Sequence, residues 1–367
     1  MTFRFVHTAD WQLGRAFARF PEALASRLAE ARLDAIDRIA AEARATGARH
    51  VLVAGDVWDQ ETPSERTLVQ PLDRLARAAD LTWWLLPGNH DPARPQGLWA
   101  RLAGIGPPAN VRLCTGAAPL ALTADAWLLP APLTTKRPVT DPTAELDAVA
   151  TPAGALRIGL AHGSIASFAE DDGGAAAIAV DRAERAGLAY LALGDWHGTQ
   201  RIDARTWYAG TPEPDRFPRN EPGACLAVAI AGPGRAPAVE VRSTARFRWR
   251  REEVAWLPGM GLEALEGLAG DADVPLDRTL VRLVLAGSIG LAERARLHGH
   301  IGRLRERLAH LDVDDDGLAT LVETHDLDAL GPDAGLRAAA AELAARAPGE
   351  PAARRALDLL FAWALER

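Results

Sequence analysis

Val51-Leu52-Val53-Ala54-Gly55-Asp56-Val57-Trp58-Asp59 runs apolar for four residues, breaks at a glycine and delivers a carboxylate. A short apolar run bounded by turn residues reads as a fully buried strand, the kind that a sheet covered on both faces requires. The pattern recurs along the chain. Phe3-Arg4-Phe5-Val6 precedes Asp10-Trp11-Gln12, and Trp83-Trp84-Leu85-Leu86 precedes Gly88-Asn89-His90-Asp91. Ile158-Gly159-Leu160 precedes Ala161-His162-Gly163, and Tyr190-Leu191-Ala192-Leu193 precedes Gly194-Asp195-Trp196-His197. Polar residues just past strand ends are where an α/β sheet builds its active site. Carboxylates, an amide and imidazoles converging there suit a two-metal hydrolytic centre.

On either side of these motifs strands and helical stretches alternate to about residue 245, which predicts an α/β layered core. Residues 21–45 carry Leu24, Leu28, Ala31, Ile36 and Ile39 at helical spacing. Residues 64–79 repeat the pattern, with Ser64 as a candidate N-cap. Residues 130–154, rich in Pro, Thr and Asp, read as an exposed excursion, and Glu170-Asp171-Asp172-Gly173-Gly174 as a loop. Beyond 245 the sequence predicts a strand over 278–285, a basic helix over 291–311 and a short strand over 318–323. Alanine-rich helices follow over 334–345 and 351–365. The expected organisation is a catalytic domain over 1–245 and a smaller α/β domain over 246–367, which would cap the site or bind a partner.

Hydrophobic residues make up 48% of the 367 and charged residues 25%, ordinary values for a globular protein. The net charge of −8 argues against a protein that coats nucleic acid by bulk electrostatics, although a local basic strip and bound cations could still hold phosphates. Cys114 and Cys225 lack the spacing of a thiolate site or disulfide framework. Residues 1–4 lead straight into the first strand and no apolar run nears the length of a membrane span. The expectation is a cytoplasmic protein with no membrane partner.

The ordered set of motifs resembles the calcineurin-like metallophosphoesterases. The opening Phe5-Val6-His7-Thr8-Ala9-Asp10-Trp11-Gln12-Leu13-Gly14 is similar in particular to the SbcD-type and YhaO-like DNA repair exonucleases. So is Tyr208-Ala209-Gly210-Thr211-Pro212-Glu213-Pro214, followed by Arg216-Phe217. The resemblance implies a four-layer α/β/β/α sandwich and two divalent metal ions. Asp56 would bridge them, with Asp10, Gln12 and His197 completing one shell and Asn89, His162 and Asp195 the other. His90 would protonate the leaving oxygen or stabilise phosphoryl charge, its ring oriented by Asp91. Family members usually carry histidine where this chain has Gln12 and Asp195. Oxygen in place of nitrogen favours Mn²⁺ or Mg²⁺ over Zn²⁺. The resemblance further implies DNA as substrate, an SMC-like coiled-coil ATPase as partner and a homodimer.

Other features invite weaker readings. His7 reads as a satisfied core histidine, and Asp59 as a turn cap or a support for Asp56. Asp312-Val313-Asp314-Asp315-Asp316-Gly317 with Glu323 fits the calcium-loop pattern, but an acidic helix-to-strand turn is the better expectation. Arg246, Arg248 and Arg250 alternate with Phe247 and Trp249, and on a strand would share one face. That face could track phosphates, or its arginines could be solvated or paired with acids. In the last helix Leu357, Leu360, Phe361 and Trp363-Ala364-Leu365 suit core packing, or else a docking surface. The expected activity is phosphodiester hydrolysis in DNA, as an exonuclease with possible endonuclease action. Hydrolysis of a small cyclic or linear diester, and a weakly catalytic DNA-end-binding or scaffold role, are the alternatives.

Overall fold

The computed structural model describes residues 2–166, 177–217, 220–257, 259–269, 274–321, 334–347 and 349–365. The Glu170–Gly174 stretch, Glu323 and the side chains of Trp363 and Leu365 lie outside the described set. Two compact units form: Met1–Asp215 with Asn220–Arg246, and Arg216–Arg219 with Phe247–Arg367.

In the first unit the strands are β1 (Phe3–Thr8), β2 (His50–Val53), β3 (Thr82–Leu85), β4 (Val111–Leu113), β5 (Leu120–Thr123), β6 (Ala126–Ala131), β7 (Leu156–His162), β8 (Tyr190–Gly194), β9 (Gln200–Arg201), β10 (Thr206–Tyr208), β11 (Ala224–Ile230) and β12 (Ala238–Ser243). They make two six-stranded sheets, ordered β12-β11-β1-β2-β3-β4 and β5-β6-β7-β8-β10-β9. Strands β1 to β4 run parallel, as do β6, β7, β8 and β10.

Alternation along each strand builds the layers. On the first sheet Val6, Val51, Val53, Trp83 and Leu85 face helices α1 (Glu22–Thr46), α2 (Glu65–Arg77) and α3 (Leu98–Ile105). Their neighbours Phe5, Leu52 and Trp84 pack instead on Leu128, Ile158, Leu160 and Tyr190 of the second sheet. The outer face of that sheet, through Leu129, Leu191 and Leu193, meets Leu146 and the short helix α4 (Arg182–Arg185). The result is a four-layer α/β/β/α sandwich. The central strands β1, β2, β3, β7 and β8 are covered on both faces, which is why they read as unbroken apolar runs; each large side chain so buried contributes roughly 1.5–3 kcal/mol.

The helices begin and end where local chemistry dictates. Helix α1 stops at Gly47, whose φ of 72° lets its N–H reach back to Ala43 and Arg44. Helix α2 starts at Ser64, whose hydroxyl accepts from the Thr67 amide. Pro71 has no N–H to offer Thr67, four residues earlier, and the indole of Trp58 donates to that carbonyl at 3.2 Å. Residues 130–154 are less of an exposed excursion than expected: Pro130 and Ala131 end β6. Leu133 and Leu146 are buried, and Asp141 and Asp147 both bind Arg182.

The second unit holds a parallel sheet of β13 (Arg248–Trp256), β14 (Thr279–Gly290) and β15 (His310–Leu321). Helix α5 (Leu291–Arg307) joins β14 to β15 and packs Leu297, Ile301 and Leu304 into their core. Helices α6 (Ala334–Arg346) and α7 (Pro351–Leu365) follow, with Leu357 and Phe361 clustered on Leu291 and Ala340. The acidic run is not a turn. Asp312 and Asp314 stand on β15, two residues apart and so on one face, and both approach Arg282 of β14; Asp315 binds Arg294.

Candidate metal centre

The loops after β1 and β2 are zipped together by their backbones. Asp10 N–H donates to Gly55 O at 3.1 Å, Gln12 to Asp56 O at 2.8 Å, Leu13 to Val57 O at 2.9 Å and Asp59 to Leu13 O at 3.0 Å. This holds two carboxylate-bearing segments side by side at the ends of adjacent strands. Asp10, Gln12, Asp56 and Asp195 all adopt positive φ, of 54°, 44°, 52° and 108°. Non-glycine residues take that conformation at a cost on the order of 1 kcal/mol or more each, and it concentrates at functional sites. Glycines supply the remaining room: a Cβ on Gly55 would lie 2.3 Å from His162 Nδ1, and one on Gly88 2.2 Å from Asp56 Oδ1.

His162, the last residue of β7, is fully buried. Its Nδ1 donates to Ala54 O at 2.8 Å, because a carbonyl can only accept. Its Nε2 faces a ring of acceptors: Asn89 Oδ1 at 3.1 Å, Asp56 Oδ1 at 3.4 Å and Asp195 Oδ1 at 3.8 Å. Asp10 closes the group, its carboxylate receiving the Asp195 amide at 3.1 and 3.2 Å. Ligand atoms of Asp10, Asp56 and His162 all lie within 4.8 Å of one another. Acceptors cannot satisfy each other, so a proton or a cation has to sit among them. Without a cation, burial lowers the affinity of the His162 ring for a proton, but Asp56, Asp10 and Asp195 outweigh it and raise the pKa to about 9. Burial pushes the Asp10 carboxyl well above its usual range; Asp56 and Asp195 push the same way, against His162. This donor set of carboxylates, an amide oxygen and one imidazole fits a divalent metal.

Gln12 and His197 lie on another side of the site. Gln12 Nε2 is 3.1 Å from His197 Nε2, and Gln12 Oε1 accepts from Arg15 at 2.8 Å. Arg15 also pairs with Asp59 at 3.0 Å and with Asp215 at 3.2 Å. Asp215 in turn faces His197 Nδ1 at 3.3 Å. Burial would raise the Asp215 carboxyl, but the His197 hydrogen bond and the charges of Arg32 and Arg15 hold it below the usual carboxylate range.

His90 is half-buried. Its amide donates to Asp56 Oδ1 at 2.9 Å, and its Nδ1 donates to Asp59 O at 2.9 Å, leaving Nε2 3.9 Å from Asp56 Oδ2. The expected partnership with Asp91 is corrected here: the Asp59 carbonyl orients the His90 ring. Asp91 is fully buried and accepts from the amides of Gly88 at 2.7 Å and Trp58 at 3.0 Å, while its own carbonyl receives the Trp99 indole. It shapes the loop that presents Asn89 and His90. Asp59 also supports the site through Arg15, and His7 is satisfied by Tyr190 Oη and Leu193 O.

The arginine series does not form one strand face, because β13 begins at Arg248 and Arg246 precedes it. Arg246 binds Asp34, and Arg250 binds Glu252 and Gly267 O. Phe247 and Trp249 are both buried.

Four residues of the site stand outside the sequence motifs. Asp215, Arg15 and Ser164 (which donates to Asp195 Oδ2 at 2.5 Å) carried no motif. Arg32 did carry a signal: it stands between Leu28 and Ile36 on the apolar stripe of α1, where a charge demands a reason. It is buried and donates to Trp11 O, Glu213 O, Asp10 O and Thr211 Oγ1, tying two site loops together.

Residues 3–165 match the family described as Calcineurin-like phosphoesterase. The match supports a calcineurin-like phosphoesterase domain over this part of the chain, and that family implies metal-dependent phosphoester hydrolysis. No curated protein matches the chain. Among solved structures, the crystal structure of TT1561 of Thermus thermophilus is similar over 66% of this chain and 99% of its own, at 10% identity and a TM-score of 0.40. That likeness is too slight to bear on function. Among the described residues no helix is long and apolar enough to cross a membrane.

Proposed function

We propose that the chain hydrolyses phosphodiester bonds in DNA, as a repair exonuclease, with Mn²⁺ or Mg²⁺ as its metal. The observation that carries the hydrolytic part is the ring of oxygens around the buried His162 Nε2, from buried Asp56 and part-buried Asn89 and Asp195, a donor set that suits a divalent cation. Divalent metal bound there supplies charge neutralisation at the phosphoryl oxygens and a more acidic water. Asp10, Asp56, Asn89, His162 and Asp195 would hold it, and their mostly oxygen donors favour a hard ion.

The protein's own residues do the rest. The Asp59 carbonyl fixes the Nδ1–H tautomer of His90, so its exposed Nε2 is the atom that carries a proton toward a leaving oxygen. The His90 amide, bonded to Asp56 Oδ1, ties the position of that ring to the carboxylate beside it. Exclusion of water follows from burial of Asp10, Asp56 and His162.

DNA as substrate is supported by the resemblance of Phe5–Gly14 and Tyr208–Phe217 to SbcD-type and YhaO-like nucleases. An SMC-like ATPase partner and a homodimer belong to the same reading. A small diester substrate is favoured by one observation: Arg246 and Arg250 are already bound to Asp34 and Glu252, so neither guanidinium is uncommitted to carboxylate.

The test is hydrolysis of end-labelled linear DNA beside bis-p-nitrophenyl phosphate in Mn²⁺, with an Asp56→Ala, His90→Ala control. DNA degradation lost in the control is the expected result. Cleavage of the small diester alone moves the assignment to a small-substrate phosphodiesterase, and silence on both overturns the hydrolase reading.

A further inference from the structure

We propose that Arg15 closes the Gln12–His197 side of the centre, so that the chain holds one divalent cation tightly, at Asp10, Asp56, Asn89, His162 and Asp195, and not a matched pair. This rests on the metal-dependent reading above and concerns how many ions that reading involves.

The argument is one of donors and acceptors. Arg15 can only donate, so the Gln12 atom facing it at 2.8 Å has to be the amide oxygen. The opposite amide orientation would set N–H against N–H. Gln12 therefore presents its NH₂ group to His197 Nε2, 3.1 Å away. On the other edge of that ring His197 Nδ1 faces the Asp215 carboxylate at 3.3 Å, which fixes the proton on Nδ1 and the lone pair on Nε2. Donor meets acceptor at each step: Arg15 to Gln12, Gln12 to His197, His197 to Asp215. The Arg15–Asp215 ion pair closes the loop.

Both atoms through which this side could hold a metal, Gln12 Oε1 and His197 Nε2, are thus already engaged. Gln12, His197 and Asp215 are buried, at 1%, 8% and 4% exposure, so the bonds among them are not readily exchanged for water, while the Arg15 side chain is part-buried at 28% exposure. A metal on Gln12 Oε1 would also stand beside a guanidinium. The Gln12 backbone is held too, by its bond to Asp56 O at a φ of 44°. The His162 side is the reverse case: the atoms facing His162 Nε2, Asn89 Oδ1, Asp56 Oδ1 and Asp195 Oδ1, are all oxygens.

Mn²⁺ added to the metal-free full chain tests this, with bound ion counted by equilibrium dialysis and its spectrum recorded by electron paramagnetic resonance. One tight equivalent with the spectrum of an isolated ion is expected. The Gln12→His, Arg15→Met double variant, checked for folding by circular dichroism, should take a second equivalent and give the signal of a spin-coupled pair. Arg15→Met alone frees Gln12 Oε1 and should tighten second-ion binding at least tenfold. Two tight, coupled equivalents in the wild-type chain would overturn the proposal and leave the hydrolase reading standing. One equivalent in the wild type and in both folded variants would remove Arg15 from its role. No binding by the wild type that Asp56→Ala weakens would instead sink the metal-dependent reading itself.

Discussion

His7 and His162 are both fully buried in the same sandwich, one on β1 and one at the end of β7, yet their proton affinities move in opposite directions. Burial pushes His7 down to about 3, while the carboxylates around His162 overcome burial and carry it up to about 9. The difference lies in their partners. His7 Nε2 donates to Leu193 O and its Nδ1 accepts from Tyr190 Oη, so the neutral ring is complete. His162 completes only one nitrogen, and its other faces oxygens. A satisfied buried histidine is structure. One whose second nitrogen faces carboxylates and an amide oxygen has the donors of a cation site.

Removing the cause of that contrast should have the largest effect. Asp56→Ala takes away the carboxylate nearest His162 Nε2 after the Asn89 amide, and also the acceptor of the His90 amide. A loss on the order of 10³-fold or more in kcat/KM, about 4 kcal/mol, is expected for phosphodiester hydrolysis, with weaker Mn²⁺ binding in dialysis. His90→Ala should come next. If Nε2 carries the proton to the leaving oxygen, the loss is roughly 10²-fold on an alkoxide leaving group and much smaller on bis-p-nitrophenyl phosphate, since p-nitrophenolate departs without a proton. Equal losses on both substrates would assign His90 to phosphoryl charge instead.

Much of this is legible in the sequence alone. The apolar runs of β1, β2, β3, β7 and β8 and the polar residues at their ends follow from rules of local pattern, and the α/β class with them. What escapes is set by tertiary geometry. Nothing near His90 in sequence indicates that the carbonyl of Asp59, and not the carboxylate of Asp91, would meet its ring. Asp215 lies 18 residues from His197 in a loop without periodicity. The acidic run reads as a turn because its aspartates are poor strand formers. Parallel pairing with β14 and the charge of Arg282 override that preference. Arg32 is readable in principle, as the one charge on the stripe from Leu28 to Ile36.

The His7 half of the contrast predicts a stability effect. Its folded pKa of about 3 lies below the ordinary histidine value of 6.5, so between those values the unfolded chain binds a proton that the folded chain refuses. Stability from this group is complete above pH 6.5 and is lost as pH falls through that window, about 2 kcal/mol by about pH 5. Urea unfolding at several pH values, beside His7→Gln, measures it; the variant keeps a donor for Leu193 O but should lose this share of the slope.

The smallest effect belongs to the other acidic cluster. Asp312, Asp314 and Asp315 crowd as many carboxylates as the centre does, but they are partly exposed and face Arg282 and Arg294. Water and guanidinium already balance them, so no cation is demanded. Asp314→Asn should cost no more than about 0.5 kcal/mol, as exposed pairs do. It should also leave the response of thermal unfolding to added Ca²⁺ unchanged. A Ca²⁺-dependent rise in Tm that this variant abolished would mean that an acidic run on a strand can hold calcium despite its arginines, and that charge balance alone does not separate a structural cluster from a binding one.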